Sequence, residues 1–300
     1  MAFYTNLRCV FIFLFLTFPI LSFANEITAL TEIRYFQTDE RYEYRIKLLD
    51  LALSKTGKSW GAYSLIGDES DMTQGRGKLM LEHNEGIDIA SFATNSDLEK
   101  TFQPIPIPIL QGVLGYRVLL INSDNREVFS KITSLQQLRK YTAGFGSHWN
   151  DIRILKYNLL PVNGVAKYEL LFAMLDAKRF DYFPRGINEA WIEVKKYQPQ
   201  FSHLMVEPTI GLYYPYFVYF FTSRENRALA QRIQEGLEMA LQDGSFKALF
   251  LKYHQHLFKQ ASLEIRKMLV LDNPDIVSIQ HQPRFDWWLP NVEKVKLYRR

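Results

Sequence analysis

Residues 141–160 read YTAGFGSHWNDIRILKYNLL, and the folding of this stretch decides how the chain is laid out. Tyr141 to Phe145 is a short apolar run among glycines, the pattern of a strand reaching a turn. Gly144 and Gly146 have no Cβ, so the backbone can turn sharply there. Ser147 is a natural N-cap, with Ile152, Leu155, Leu159 and Leu160 near helical spacing behind it. A strand, a glycine turn and a capped helix leave backbone N–H groups pointing out of the helix start, where carboxylates and other anions are attracted. An ordinary strand-to-helix connection has the same pattern, so the surroundings must decide between the two.

Working outward, Tyr116 to Asn122 (YRVLLIN) reads as a strongly apolar strand, and 133–138 as a short helix capped at Thr133 or Ser134. Downstream, Tyr168 to Ala177 is a helix, followed by RFDYFPRG at 179–186 and a further helix from Asn188 to Lys196. Thr209 to Phe221 reads as one strand returning from a crossing. Asn226 to Leu241 is amphipathic, with Leu229, Ile233, Leu237 and Ala240 on one face. Asp243-Gly244-Ser245 breaks it before a final helix, Phe246 to His256.

Toward the N-terminus, strands are expected at 27–36, 63–66 and 87–92, with helices from Tyr44 to Ser54 and from Met72 to Asn84 between them. Strand–helix–strand–helix–strand argues for a parallel sheet covered by helices. The prolines of QPIPIPIL at 103–110 exclude a helix interior and a central strand, leaving a stiff extended link. From Ser262 the chain is expected to form a tail laid over a surface.

Three hundred residues suggest two domains or lobes, and 47% hydrophobic residues can bury sizeable cores. A net charge of +4, without a basic block beyond Arg299-Arg300, argues against nucleic acid as a partner. Residues 1–24 form a separate object, a signal peptide: Arg8 is its only charge, and Cys9 to Leu21 is almost unbroken apolar sequence. Ser22 and Ala24 place small residues where signal peptidase reads, so cleavage is expected between Ala24 and Asn25. An uncleaved anchor is the alternative, although a dozen or so apolar residues fall short of the roughly twenty a span needs. Cys9, the only cysteine, would leave with this peptide, so the mature chain would have neither disulfide nor thiol chemistry.

Three passages between residues 132 and 246 resemble, in order, the extracytoplasmic solute-binding proteins of family 3, which include the amino-acid-binding components of ABC transporters. Ile132 to Leu138 with Ala143 to Ser147 is similar to the family's passage into its glycine-serine turn. Arg179-Phe180-Asp181-Tyr182 is similar to its later aspartate turn. Tyr219-Phe220-Phe221, the helix at 226–241 and Asp243 to Phe246 are similar to its closing segment. The whole chain also looks like an uncharacterised branch of that family in Gram-negative bacteria. The resemblance implies an α/β type 2 periplasmic binding protein fold, in which each of two lobes has a central, mostly parallel sheet flanked by helices and two hinge strands join them. Lobe 1 would comprise 25–114 and 222–300, with the tail 262–300, and lobe 2 would comprise 115–221. It implies a soluble periplasmic protein, expected as a monomer, whose lobes close over a small ligand and whose partner is an ABC permease or a membrane sensor. No cofactor or metal is implied.

Carried over by position, Ser147 with the N–H groups of Gly146 and His148 would hold a ligand carboxylate. Ser91 and Thr94 would contact ligand after the third strand, or else bond the strand end. Lys100 stands where the amino-acid binders carry an arginine clamp, and it supplies a point charge without a planar fork. Arg185 stands near the position of the family's acidic partner for an amino group and would instead pair with a second anionic group. Asp181 would orient the turn or pair with Arg185. Tyr35, Gln37 and Arg41 would line the cleft, and Trp149, Tyr213 and Tyr214 would either stack on a planar ligand or pack the core and hinge. Trp287-Trp288 would anchor the tail to lobe 1.

Metal and covalent chemistry find little support: His254 and His256 are two apart and diverge on a helix, and no nucleophile elbow or phosphate loop occurs. The expected function is therefore capture of a small polar solute, anionic or amino-acid-like, without catalysis. The alternatives are a periplasmic enzyme on the same scaffold, similar to a cyclohexadienyl dehydratase, and a ligand-sensing module.

Overall fold

The structure, a computed structural model, describes residues 1, 30–39, 42–70, 72–149, 151–276 and 297–298. The expected signal peptide with Cys9, and Arg41, Trp287, Trp288, Arg299 and Arg300, lie outside the described residues.

The chain begins with strand β1 (Thr31–Tyr35), helices α1 (Glu43–Lys55) and α2 (Gly57–Trp60), strand β2 (Tyr63–Gly67), helix α3 (Gln74–Glu82), strand β3 (Ala90–Ala93), helix α4 (Ser96–Thr101) and strand β4 (Gln103–Ile105). Strands β1 and β2 pair in parallel. Where β1 and β3 have no ladder, side chains join their ends: the Ser91 N–H donates to Gln37 Oε1 at 2.7 Å, and Gln37 Nε2 donates to the Ser91 carbonyl at 2.9 Å.

The second sheet collects β5 (Tyr116–Asn122), β6 (Ala143–Gly146), β7 (Val162–Val165), β8 (Tyr182–Gly186) and β9 (Leu204–Tyr213). Helices α5 (Arg126–Ser130), α6 (Leu135–Leu138), α7 (Ile152–Tyr157), α8 (Tyr168–Asp176) and α9 (Ala190–Tyr197) connect them. The chain then returns through 214–217 to β10 (Val218–Thr222), which pairs antiparallel with both β3 and β4. Helices α10 (Arg227–Gln242) and α11 (Ser245–Gln260) cover the first lobe, followed by β11 (Lys267–Val270) and β12 (Leu297–Tyr298).

The second sheet has the order β12-β11-β9-β5-β8-β6-β7. Only β5 among them runs opposite to its neighbours, because it enters directly from the first lobe while β9 leaves toward it. The carboxyl ends of β6, β8 and β9 therefore point toward the crossings, and so do those of β3 and β4. In α/β sheets ligands bind at such strand ends.

Periodicity located the long helices to within a few residues. The expected single strand over 209–221 is two strands split at 214–217, where Pro215 cannot donate to a ladder. RFDYFPRG contains a strand, β8, fully buried despite Pro184 and Arg185. The tail departs from its expected place on lobe 1: β11 pairs in parallel with β9, adding a strand to the second sheet.

Helix α10 packs so closely on α1 that a Cβ on Gly236 would lie 2.0 Å from the Ala52 carbonyl oxygen. Gly236→Ala should therefore destabilise the protein by about 1–3 kcal/mol or more, read by urea unfolding, because backbone cannot yield as a side chain can. On α11, His254 is buried against Tyr44 and Phe250. Burial, helped by the fields of His256 and Arg45, pushes its imidazole down to about 4 against the pull of the Phe250 carbonyl. Its folded value lies below the unfolded value of about 6.5, so the stability it contributes is present above pH ~6.5 and is lost as pH falls toward 4. The drop in melting temperature between pH 7 and 4.5 should be smaller in His254→Phe than in the parent.

Candidate ligand-binding site

The strand ends of the second lobe carry a row of buried charges. Arg117, at the start of β5, donates from Nε to the Tyr214 hydroxyl at 2.7 Å and from Nη2 to Asp151 Oδ2 at 2.8 Å. The Tyr214 hydroxyl donates to the same Asp151 oxygen at 2.8 Å. Arg185, at the end of β8, holds Glu193 with two bonds, from Nε at 2.7 Å and from Nη2 at 2.5 Å. The Tyr168 hydroxyl completes that carboxylate at 2.7 Å.

Glu189 lies between the two guanidiniums, its Oε2 3.1 Å from Arg185 Nη2 and 3.7 Å from Arg117 Nη1, and it accepts the Gly186 N–H at 3.1 Å. Burial alone would lower both arginines. For Arg117 the surrounding Tyr214, Asp151 and Glu189, and for Arg185 the carboxylates Glu189 and Glu193, outweigh it and hold the guanidinium above its ordinary value. Asp151, Glu189 and Glu193 thus surround the two guanidiniums. Glu189 is the outermost member of the row, with a side chain 37% exposed against 8–9% for the others.

Trp149 sits on this row. Its ring covers Gly146 so closely that a Cβ there would lie 2.4 Å from it, and it stacks on Phe183 with the Arg185 guanidinium 4.7 Å from its centroid.

On the first lobe, a narrow recess with about 10 Å³ of internal space is lined by Tyr35, Gln37, Tyr42, Arg45, Ser91 and apolar residues that include Leu49 and Phe220. Arg45, from the first turns of α1, donates from Nη1 to the Ser91 hydroxyl at 3.0 Å and lies 4.6 Å over the Tyr42 ring. Tyr216, on the crossing between the lobes, is raised first by its own burial and then by Asp151, while Arg117 and Arg45 pull it down. This one hydroxyl is within the field of charges from both lobes.

No family model matches the chain, and no curated protein does. Solved structures do. An ancestral arginine-binding protein bound to glutamine aligns at a TM-score of 0.50 and 16% identity, over 75% of this chain and 97% of that one. The VFT2 domain of BvgS from Bordetella pertussis, solved as a double mutant, aligns at 0.52 and 17%, over 75% and 93%. A structure concerned with glutathione import through GshT and the cystine ABC importer TcyBC of Streptococcus mutans aligns at 0.50 and 13%, over 76% and 95%. The chain has the two-lobed type 2 periplasmic binding fold.

Within this binding fold the expected site residues fall into two groups. Tyr35 and Ser91 meet at the first-lobe recess; Gly146, Ser147, His148, Trp149 and Arg185 gather at the second-lobe strand ends. Their roles differ from expectation. Ser147 does not cap a helix: α7 begins only at Ile152 after Asp151, and the Ser147 N–H donates to the Val165 carbonyl at 3.0 Å, extending the β6–β7 ladder. The Trp149 N–H bonds back to Gly146, and His148 is exposed. Arg185 is buried and doubly bonded to Glu193, so it is not an open cation.

Three residues stand apart from the recess and the charged row, Asp181 in the turn-orienting place that was one of its two expected roles. Asp181 precedes β8, at the end of the sheet away from the crossings, and accepts the Thr142 N–H at 2.7 Å. The Thr94 hydroxyl donates to buried Glu99 at 2.7 Å. Lys100 is exposed on α4 and does not line the recess, and its carbonyl accepts from Arg224. Sequence reasoning missed Arg45, Arg117 and Glu193, and did not give Glu189 its place among them. Among the described residues no cluster of His, Cys, Asp and Glu is placed to hold a metal ion, and no helix is long and apolar enough to cross a membrane.

The pairing in the row is testable. Glu193→Ala should cost about 3–5 kcal/mol in urea unfolding, because it removes the doubly bonded partner of the buried Arg185 and leaves Glu189 to serve both guanidiniums. Glu189→Gln, at the solvent-facing edge, should cost under about 1 kcal/mol.

Proposed function

We propose that this protein is an exported, periplasmic solute-binding protein that captures a small amino-acid-like solute between its lobes and delivers it to an ABC-type permease. The observation that carries the reading is the opposite polarity of the two strand-end surfaces. The first lobe presents Arg45 beside Ser91, and the second presents a charge row whose most exposed member is the carboxylate of Glu189. A zwitterion would set its carboxylate on Arg45 and its ammonium near Glu189, with Trp149 and Tyr216 as apolar walls. Closure would exclude water and strengthen both contacts. No bond in the solute needs to be made or broken. An amino-acid-like class is further supported by the solutes named for the solved neighbours, glutamine and glutathione among them.

A thermal-shift screen of amino acids, dicarboxylates and short peptides should give a solute that raises the melting temperature. Arg45→Gln should then weaken that solute about 10- to 100-fold, in keeping with loss of a charged hydrogen bond of about 1.5–3 kcal/mol. Glu189→Gln should weaken the amino compound more than its des-amino analogue. No stabilisation by any member of the screen, or an Arg45→Gln protein that binds undiminished, would overturn the reading.

A further inference from the structure

Among the described residues the chain passes between the lobes three times: at 106–115, at 214–217, and again at 261–266, from the end of α11 to β11. The third passage is fastened at both ends. Helix α11 is packed into the first lobe, with Phe246 and Phe250 fully buried and the Tyr253 hydroxyl bonded to Glu43 in α1 at 2.8 Å. Strand β11 is in register with β9 over Lys267↔Ile210 to Val270↔Tyr213.

The link between them has no slack in its folded form. The Ile265 and Arg266 N–H groups both turn back to the Ser262 carbonyl, at 3.1 and 2.9 Å. Arg266, 3% exposed, then clamps the two sides together. Its Nε donates to the Ala261 carbonyl at the C-terminus of α11 at 2.8 Å, where the helix dipole favours a cation. Its Nη1 donates to the carbonyls of Glu207 and Ile210 on β9, and the fully buried Glu207 carboxylate lies 3.7 Å away.

Farther on, the strap is laid along the hinge itself. The Leu271 N–H donates to the Tyr213 carbonyl at 2.8 Å, and Asn273 Nδ2 donates to the Pro215 carbonyl within the second crossing at 2.8 Å. Asn158 and Asp272 exchange two hydrogen bonds, at 2.7 and 3.0 Å.

We propose that residues 261–273 act as a restraining strap, a third inter-lobe tether that limits how far the lobes open. Two crossings alone allow the lobes to rotate about the line that joins them. A third tether, folded and clamped at both ends, must lengthen for the lobes to rotate far apart, and it lengthens only if the Arg266 bonds break.

Labels placed at Glu82→Cys in the first lobe and Glu169→Cys in the second, in a Cys9→Ser background of the full chain, report the inter-lobe distance by pulsed electron spin resonance. Small-angle scattering gives the radius of gyration alongside. Without added solute, the parent should give one narrow distribution. Four Gly/Ser residues inserted between exposed Glu264 and Ile265 give slack without removing the clamp side chain, and should broaden and lengthen the distribution and raise the radius of gyration. Arg266→Gln, which keeps the chain length, should do the same to a smaller extent. Equal distributions in the parent and in a cooperatively folded insertion variant would overturn the proposal, as would a parent distribution already as broad as that of the variant. The readout needs no solute, so it stands or falls separately from the solute-binding reading.

Discussion

Two guanidiniums buried at the strand ends of the second lobe, Arg117 and Arg185, set the terms for everything around them. A cation taken out of water needs carboxylates at hydrogen-bond distance, and removing one partner leaves an uncompensated buried charge. Asp151 and Glu193 supply those partners, and Tyr214 and Tyr168 fill their remaining lone pairs. The local backbone follows from this. Asp151 precedes α7, but its carboxylate is committed to Arg117 and caps nothing. Trp149 closes over Gly146 because Arg185 and Phe183 give its ring a polar and an apolar surface to rest on. Of the backbone amides expected to form an anion cradle, that of Ser147 is drawn into the ladder, and the neighbouring Trp149 amide bonds back to Gly146.

The same pairing fixes the electrostatic character of the cleft side of this lobe. The most exposed member of the row is a carboxylate, Glu189, and a negative charge in a partly dry environment attracts a cation more strongly than one on a fully exposed side chain would. The first lobe has the reverse character. There Arg45 is held against the Tyr42 ring and bonded to a serine whose own hydroxyl donates to Gln37 at 2.9 Å, so the guanidinium is oriented before any solute arrives. Orientation in advance reduces the entropy that binding must overcome.

The long amphipathic helices and β5 were legible in the sequence because each shows one unbroken period, with 229, 233, 237 and 240 in α10 as the clearest case. Strand β8 was not legible: it is buried on both faces, so YFPRG shows no alternation, and its proline and arginine argue for a turn. Its arginine is tolerated only because Glu193 lies eight residues further on, a pairing visible only after α9 has folded back. Ser147 looked like a cap because the sequence does not reveal that Val165, on a strand eighteen residues away, takes its amide. Lys100 was the nearest cation to β3 along the chain, whereas the nearest in space was Arg45, which in sequence resembles any solvated charge on α1. Strand β11, at four residues, was too short to distinguish from a tail.

The strap bears on binding through populations rather than contacts. A protein whose competent, nearly closed state is only a fraction f of its ensemble binds with an apparent dissociation constant raised by 1/f. A tether that removes wide-open states raises f without touching the solute, and so tightens binding to whatever the two surfaces accept. The opposing effect is kinetic, since a cleft that opens less admits and releases its solute more slowly. Charged walls reduce that penalty, because opposite poles at Arg45 and Glu189 would orient a dipolar solute during approach. A restrained hinge and two oppositely charged surfaces therefore complement each other: the restraint favours the closed geometry, and the charges help the solute reach it through a narrower opening.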